Sequence, residues 1–210
     1  MYRPRLFDVP DAGEALGLAR SIGFGTLVST TPDGLEATHM PFVVDPGGRT
    51  LRGHFARANG HWRHLAASPD VLVIFQGPHA YVSPDWYESP HQVPTWNYVA
   101  AHVAGRARAV EEADWLRAML VDLSAAYQSA REKPWTLDKM PDGMADRMAK
   151  AIVGVEIEVV RVEGKRKLSQ NKNAADRAGV VRGLRAESGA AGADIADLMQ
   201  AALETEAVDG

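Results

Sequence analysis

Residues 24–55 read FGTLVSTTPDGLEATHMPFVVDPGGRTLRGHF, and the punctuation of that stretch decides the fold class. Phe24–Thr30 is a β-branched and apolar run closed by Thr31-Pro32-Asp33-Gly34, the residue types that tight turns require. Glu36–Val44 is a second run, ended by Asp45-Pro46-Gly47-Gly48, and Thr50–Phe55 is a third. Strands joined by such short turns pair as an antiparallel meander, because a parallel βαβ unit needs a crossover between its strands.

Working outward, a helix fits roughly Ala12–Ser21, ahead of the first strand. Behind the third strand a short helix fits Gly60–Ala67. Val71–Gln76 is a continuous apolar run expected to be buried on both faces. Ala80–Ser83 is extended and Pro84–Pro94 is a polar, aromatic loop. Thr95–Val110 reads as a long strand in which Gly105 marks a bend or bulge. Glu111–Arg131 then carries Trp115, Leu116, Met119, Leu120, Leu123 and Tyr127 on one helical face. Pro141–Ile152 is a shorter helix, and Val155–Val162 alternates as a half-exposed strand. About six or seven short strands with flanking helices make a mainly β chain (α+β), expected to form a small antiparallel barrel. Residues 1–187 are expected to form that domain, and residues 188–210 a helical or partly mobile tail.

Composition narrows the function classes. Of 210 residues, 46% are hydrophobic and 24% charged, an ordinary globular balance. No window offers the roughly 20 apolar residues of a membrane span, and the N-terminus lacks a signal-type apolar core, so a cytoplasmic protein is expected. Cysteine is absent, which removes disulfides, thiolate metal sites and a cysteine nucleophile. The net charge of −4 and the lack of a helix-turn-helix pattern disfavour direct DNA binding.

All seven histidines lie between Thr38 and Val103, together with Trp62, Trp86 and Trp96. No Rossmann or P-loop signature is present. Instead His54-Phe55-Ala56-Arg57-Ala58-Asn59-Gly60-His61 stands where a strand gives way to a helix. A helix N-terminus favours anions, Asn59 is a good cap, and Arg57 and His61 add donors. The plainer reading is a capped helix with a solvated basic face. His61 and His64 lie one helical turn apart, but no third ligand follows and no metal site is expected. Trp96 and Tyr98 point to one face of their strand and Asn97 to the other, a mix suited to a planar ligand or to core and interface packing. The basic segment Gly164–Lys172 reads as solvated surface.

Several blocks in order, Thr38-His39-Met40-Pro41, His54-Phe55-Ala56-Arg57-Ala58-Asn59, His79-Ala80-Tyr81-Val82-Ser83-Pro84, Val93-Pro94-Thr95-Trp96-Asn97-Tyr98 and Lys167-Leu168-Ser169-Gln170-Asn171-Lys172, resemble the PaiB family. These are described as FMN-binding negative transcriptional regulators with the split-barrel fold of pyridoxamine-phosphate oxidase. The resemblance implies a homodimer with FMN in the groove between subunits. It places Thr38, His39, Met40 and Pro41 along the flavin, and Trp96, Asn97 and Tyr98 near it, with Lys167 and Gln170 closing the site. The turn with Arg57, Asn59 and His61, led in by His54, falls where the related oxidases hold the FMN phosphate. Those oxidases offer Arg and Lys there, whereas this chain has Asn59 and His61, and a neutral imidazole binds a dianion less strongly. The resemblance singles out no catalytic residue. It leaves room for an FMN-dependent oxidoreductase, or for haem on a histidine of the cluster. Arg57 and His61 are expected to be replaceable by Ala with loss of FMN but little change in melting or in the dimer.

Overall fold

The computed structural model describes the backbone of residues 1–209 and their side chains except those of Ala191 and residues 206–209. In chain order the elements are β1 (Asp8–Val9), α1 (Ala12–Ile22), β2 (Phe24–Thr31), β3 (Gly34–Pro41), β4 (Val43–Val44) and β5 (Thr50–Ala56). Then come β6 (Asp70–Val82), β7 (Thr95–Val110), α2 (Ala113–Gln128), α3 (Met144–Ala149), β8 (Ile152–Lys167), α4 (Ala174–Glu187) and α5 (Gly189–Asp209). The sheet runs β3-β2-β6-β7-β8-β5-β4, with β1 on β8. Helix α1 is set by its ends: Asp11 Oδ1 accepts from the Glu14 N–H at 2.7 Å, and Gly23 takes the left-handed backbone at φ +69° that stops it.

The first hairpin follows the turn signals, Phe24 pairing with Pro41 and Thr31 with Gly34. The second expected strand divides in two. Pro41 offers no N–H, Phe42 turns its N–H to the Gly23 carbonyl (2.8 Å), and its ring packs edge-on against Phe75 at 5.6 Å. Beyond that break β4 keeps the expected meander only at its end, pairing with β5 (Val43 with Arg52, Val44 with Leu51), while β3 does not pair with β5. Along its whole length β5 pairs on its other side with β8, because the two buried sets match in register: Leu51 with Ile157, Gly53 with Val155, Phe55 with Val153. Nor is the run at residues 71–76 buried on both faces. Val71, Val73 and Phe75 are buried with half-buried residues between them, and the strand continues to Val82. The helix expected at Gly60–Ala67 is a five-residue 3-10 turn, Gly60–His64. Strand β8 reaches into the basic segment as far as Lys167.

The chain falls into two compact units. The central one comprises Leu16–Phe75 and His102–Val162, and the terminal one Met1–Ala15, Gln76–Ala101 and Glu163–Gly210. The central core holds Leu27, Leu51, Phe55, Leu65, Phe75 and Ile157. The terminal core joins Val82, Leu168 and Val180 to Ile195, Ala196 and Met199 of α5. The helical tail therefore contributes to a core as far as it is described; Gly210, the last residue of the expected 188–210 tail, lies outside the described residues. No helix among the described residues is long and apolar enough to cross a membrane.

Gly105 stands inside unbroken β7, and its reason is crowding. A Cβ there would meet the Glu158 carbonyl oxygen at 2.3 Å and Ile157 Cγ2 at 2.7 Å. Gly105→Ala is expected to lower unfolding free energy by about 2–3 kcal/mol, read by denaturant titration.

Candidate functional site

In the central unit the site is built around one imidazole. His61 is fully buried, with Ser29 Oγ 2.7 Å from Nε2 and Thr38 Oγ1 2.8 Å from Nδ1. A neutral imidazole has one donor and one acceptor nitrogen, and a hydroxyl can serve either. Asn59 completes the arrangement. Its Oδ1 accepts from the His61 N–H (3.0 Å), capping the 3-10 turn, and its Nδ2 donates to Thr38 Oγ1 (3.1 Å). The Phe55 ring lies 5.5 Å from the imidazole. Burial pushes the His61 pKa below its ordinary value, against an opposing pull from Glu36 and with a smaller downward push from His64.

With Thr38 turned inward, strand alternation turns His39 outward. His39 is exposed, its Nδ1 2.8 Å from Thr26 Oγ1 and its ring 6.5 Å from that of Phe24. Met40 is buried and Pro41 half-buried. In the sheet β3 is the terminal strand, so among the described residues its far edge carries no ladder.

Two residues expected at the phosphate have other work. His61 is below the surface with both nitrogens engaged. Arg57 clips β5 to the approach and start of β8, donating Nε to Lys150 O (2.8 Å) and Nη2 to Ile152 O (3.0 Å), and pairing with Glu111. The expected helix N-terminus is a single turn whose His61 N–H Asn59 already takes. Arg63, on the same turn, is exposed; its guanidinium lies over the Trp62 ring at 5.1 Å, and no carboxylate among the described residues pairs with it. His54 faces away from the core, its Nδ1 buried without a hydrogen-bond partner and its pKa lowered by burial.

In the terminal unit Trp96 is exposed beside His79 (6.2 Å) and Tyr81 (6.1 Å). Asn97 is buried and donates to Ser169 Oγ (3.0 Å), a residue held at φ +62°. The Tyr98 ring receives Lys165 Nζ at 5.1 Å; Lys165 is nearly buried and also donates to the Tyr2 carbonyl. The basic segment is thus no solvated patch: its amines are spent on aromatic faces and carbonyls. Lys167 Nζ donates to Thr95 Oγ1 (2.6 Å) and Trp96 O (2.5 Å), and burial, with Lys165 and Lys172 nearby, lowers its pKa. Gln170 closes its own turn, accepting from Leu168 N and donating to Arg166 O. Sequence reading missed Ser29 and Lys165. For Ser29 the signal was present, since Leu27-x-Ser29-x-Thr31 sets a hydroxyl on the buried face, where it must find a partner.

Comparison with known proteins bears on this geometry. Residues 1–161 match the family described as "Putative FMN-binding domain". The Bacillus subtilis "Protease synthase and sporulation protein PAI 2" is 38% identical over 208 residues, 98% of this chain and 100% of that one. A conserved hypothetical protein of Mycobacterium tuberculosis aligns with a TM-score of 0.59 at 20% identity, over 81% of this chain and 92% of that one. The FAD and heme binding protein of Mycobacterium smegmatis aligns at 0.56 and 14% identity, over 81% and 78%. The shared fold is a mostly antiparallel split β-barrel with flanking helices.

His61→Ala leaves the buried Ser29 hydroxyl without its partner, takes one of two partners from Thr38 Oγ1 and opens a cavity, and is expected to cost about 3 kcal/mol. The folded pKa of His61 lies below the unfolded value of 6.5, so the unfolded chain takes the proton first as pH falls. Stability is therefore expected to decline from pH 7 toward pH 5, by denaturant titration at each pH. His61→Gln should flatten that slope in part, since His54 has the same sign.

Proposed function

The chain belongs to the PaiB-type family of FMN-binding domains, and we propose that it acts as a homodimeric flavin sensor, regulating transcription through a partner or metabolite and without gripping DNA itself. FMN is the cofactor of the domain. The observation that carries the reading is the open edge of β3, whose backbone groups are free on one side and whose orientation is fixed from below by Thr38 on His61.

The residues fit a flavin. A pyrimidine-like ring edge needs main-chain donors and acceptors, which an unpaired strand edge supplies along Thr38–Pro41. A flat ring system needs aromatic surface, and Phe24 with His39 offers it on the outward face of the hairpin. A phosphate needs a cation with unspent donors. In the turn after β5 that is Arg63, which takes the part that the sequence gives reason to assign to Arg57 and His61. When bound, FMN supplies reversible electron uptake; the chain binds and orients it. His39, held by Thr26, presents its imidazole edge at a fixed height above the strand. Within the terminal unit the Lys167 amine tethers the backbone at Trp96. Phe24 and Leu35, apolar and largely exposed on the same hairpin, support a second subunit covering this face.

The test is the absorption spectrum of protein mixed with FMN and desalted, with mass measured in solution. Flavin bands near one per chain on a dimer are expected. A Soret band on the purified protein would move the reading to haem, and a salt-dependent shift of promoter DNA by pure protein would overturn indirect regulation. Arg63→Ala should weaken FMN retention about tenfold with melting unchanged. Arg57→Ala should instead lower the melting temperature, because it releases β8 from β5.

A further inference from the structure

In the terminal unit the end of β6 and the start of β7 turn one face inward. Ala80 and Val82 pack in the core with α4 and α5, and Asn97 Nδ2 reaches Met199 Sδ at 3.3 Å. Strand alternation therefore sends His79, Tyr81, Trp96 and Tyr98 to the other face. Trp96 is its exposed centre. The Tyr81 ring stands at 74° to the indole with centroids 6.1 Å apart, and the His79 ring lies 6.2 Å away at 35°. From β8, Lys165 sits on the Tyr98 ring and Lys167 on the Trp96 carbonyl.

These amines bring charge that no carboxylate among the described residues pairs with. Glu163 is held by Arg3 and the Met1 amino group, and Asp176 by the backbone N–H groups of Glu88 and Ser89. Lys165 is buried against the rings of Tyr2 and Tyr98. Lys172 donates to Gln92 Oε1 (2.5 Å) beside the Tyr87 ring. Lys167 donates to Thr95 Oγ1 and to Trp96 O, which uses two of the three N–H bonds of an ammonium and leaves one. Burial lowers the Lys167 pKa, and repulsion from Lys165 and Lys172 adds to it; a bound anion offsets that repulsion.

We propose that this face binds a planar aromatic carboxylate, its ring against Trp96 and Tyr81 and one carboxylate oxygen on the remaining N–H of Lys167. One exposed indole and one spare donor fix the ligand at one ring system and one carboxylate. A single strand of nucleic acid needs a track of rings and several free cations. A phosphate ester brings three acceptor oxygens and nearly two charges, more than one N–H can meet. The PaiB resemblance sets Trp96 and Lys167 beside a flavin; the donor count instead gives this face a ligand of its own. An aromatic acid held here is a metabolite through which regulation can run, and the site itself needs no flavin.

The probe is 2-naphthoate, titrated calorimetrically into the full chain, against 2-naphthamide, which keeps the shape and lacks the charge. Saturable binding at one site per chain is expected, with the amide about tenfold weaker. Lys167→Met should bring the naphthoate down to the level of the amide. Trp96→Leu should weaken both probes about tenfold through lost stacking, and because Trp96 is exposed it decides the question even if the Lys167 variant unfolds. Three results overturn the proposal: no saturable naphthoate binding, equal binding of the two probes by the parent, or unchanged affinity in Trp96→Leu. FMN should leave the naphthoate in place. Competitive displacement by FMN also overturns the proposal, since the face would then belong to the flavin.

Discussion

A buried imidazole between two hydroxyls sets the geometry on which the candidate site depends. His61 cannot be taken out of water without a partner for each ring nitrogen, and Ser29 and Thr38 are those partners. The three residues sit on β2, on β3 and on the turn after β5, so one ring joins three elements that are apart in sequence. The constraint also fixes register. A one-residue slip of β3 would bring His39 beneath the sheet and send Thr38 to solvent. Whatever the outward face of this strand binds, it is presented by a contact made from below.

Legibility in the sequence followed distance along the chain. The β2–β3 hairpin, the cap at Asn59 and the long strand at Thr95–Val110 rest on neighbours a few residues apart, and their turn residues and alternation announce them. So does the opposition of exposed Trp96 to buried Asn97. What remained hidden depends on segments that arrive later. The pairing of β5 with β8 is a match of two buried sets about a hundred residues apart, and no local pattern in either announces it. His61 looked like a surface donor because its depth depends on Ser29 and Phe55, on other strands. PaiB-type resemblance identified the family and the cofactor; it carried no information on which cations the fold had already used.

That last point governs the electrostatics. Arg57 and Lys165 each occupy a position that spacing alone makes a ligand or a solvated charge, and each clips the chain to itself, Arg57 half-exposed and Lys165 buried. Arg57 reads two carbonyls with the fork geometry that lysine lacks, whereas Lys165 rests between the rings of Tyr2 and Tyr98. Desolvating a cation such as Lys165 is tolerable where a carbonyl and ring faces replace water. A residue like Arg63, stacked on one side only, keeps its hydrogen bonds for something else.

Strand β8 has a consequence for biosynthesis. It supplies the ladder for β5 and for β1, and the amino group of Met1 reaches Glu163 across 162 positions. A nascent chain leaving the ribosome from its N-terminus therefore carries β1 unpaired, and β5 with only the two residues of β4 beside it, until most of the polypeptide has been translated. During that interval Leu51 and Phe55 are open to any passing strand, and closure late in synthesis is what withdraws them.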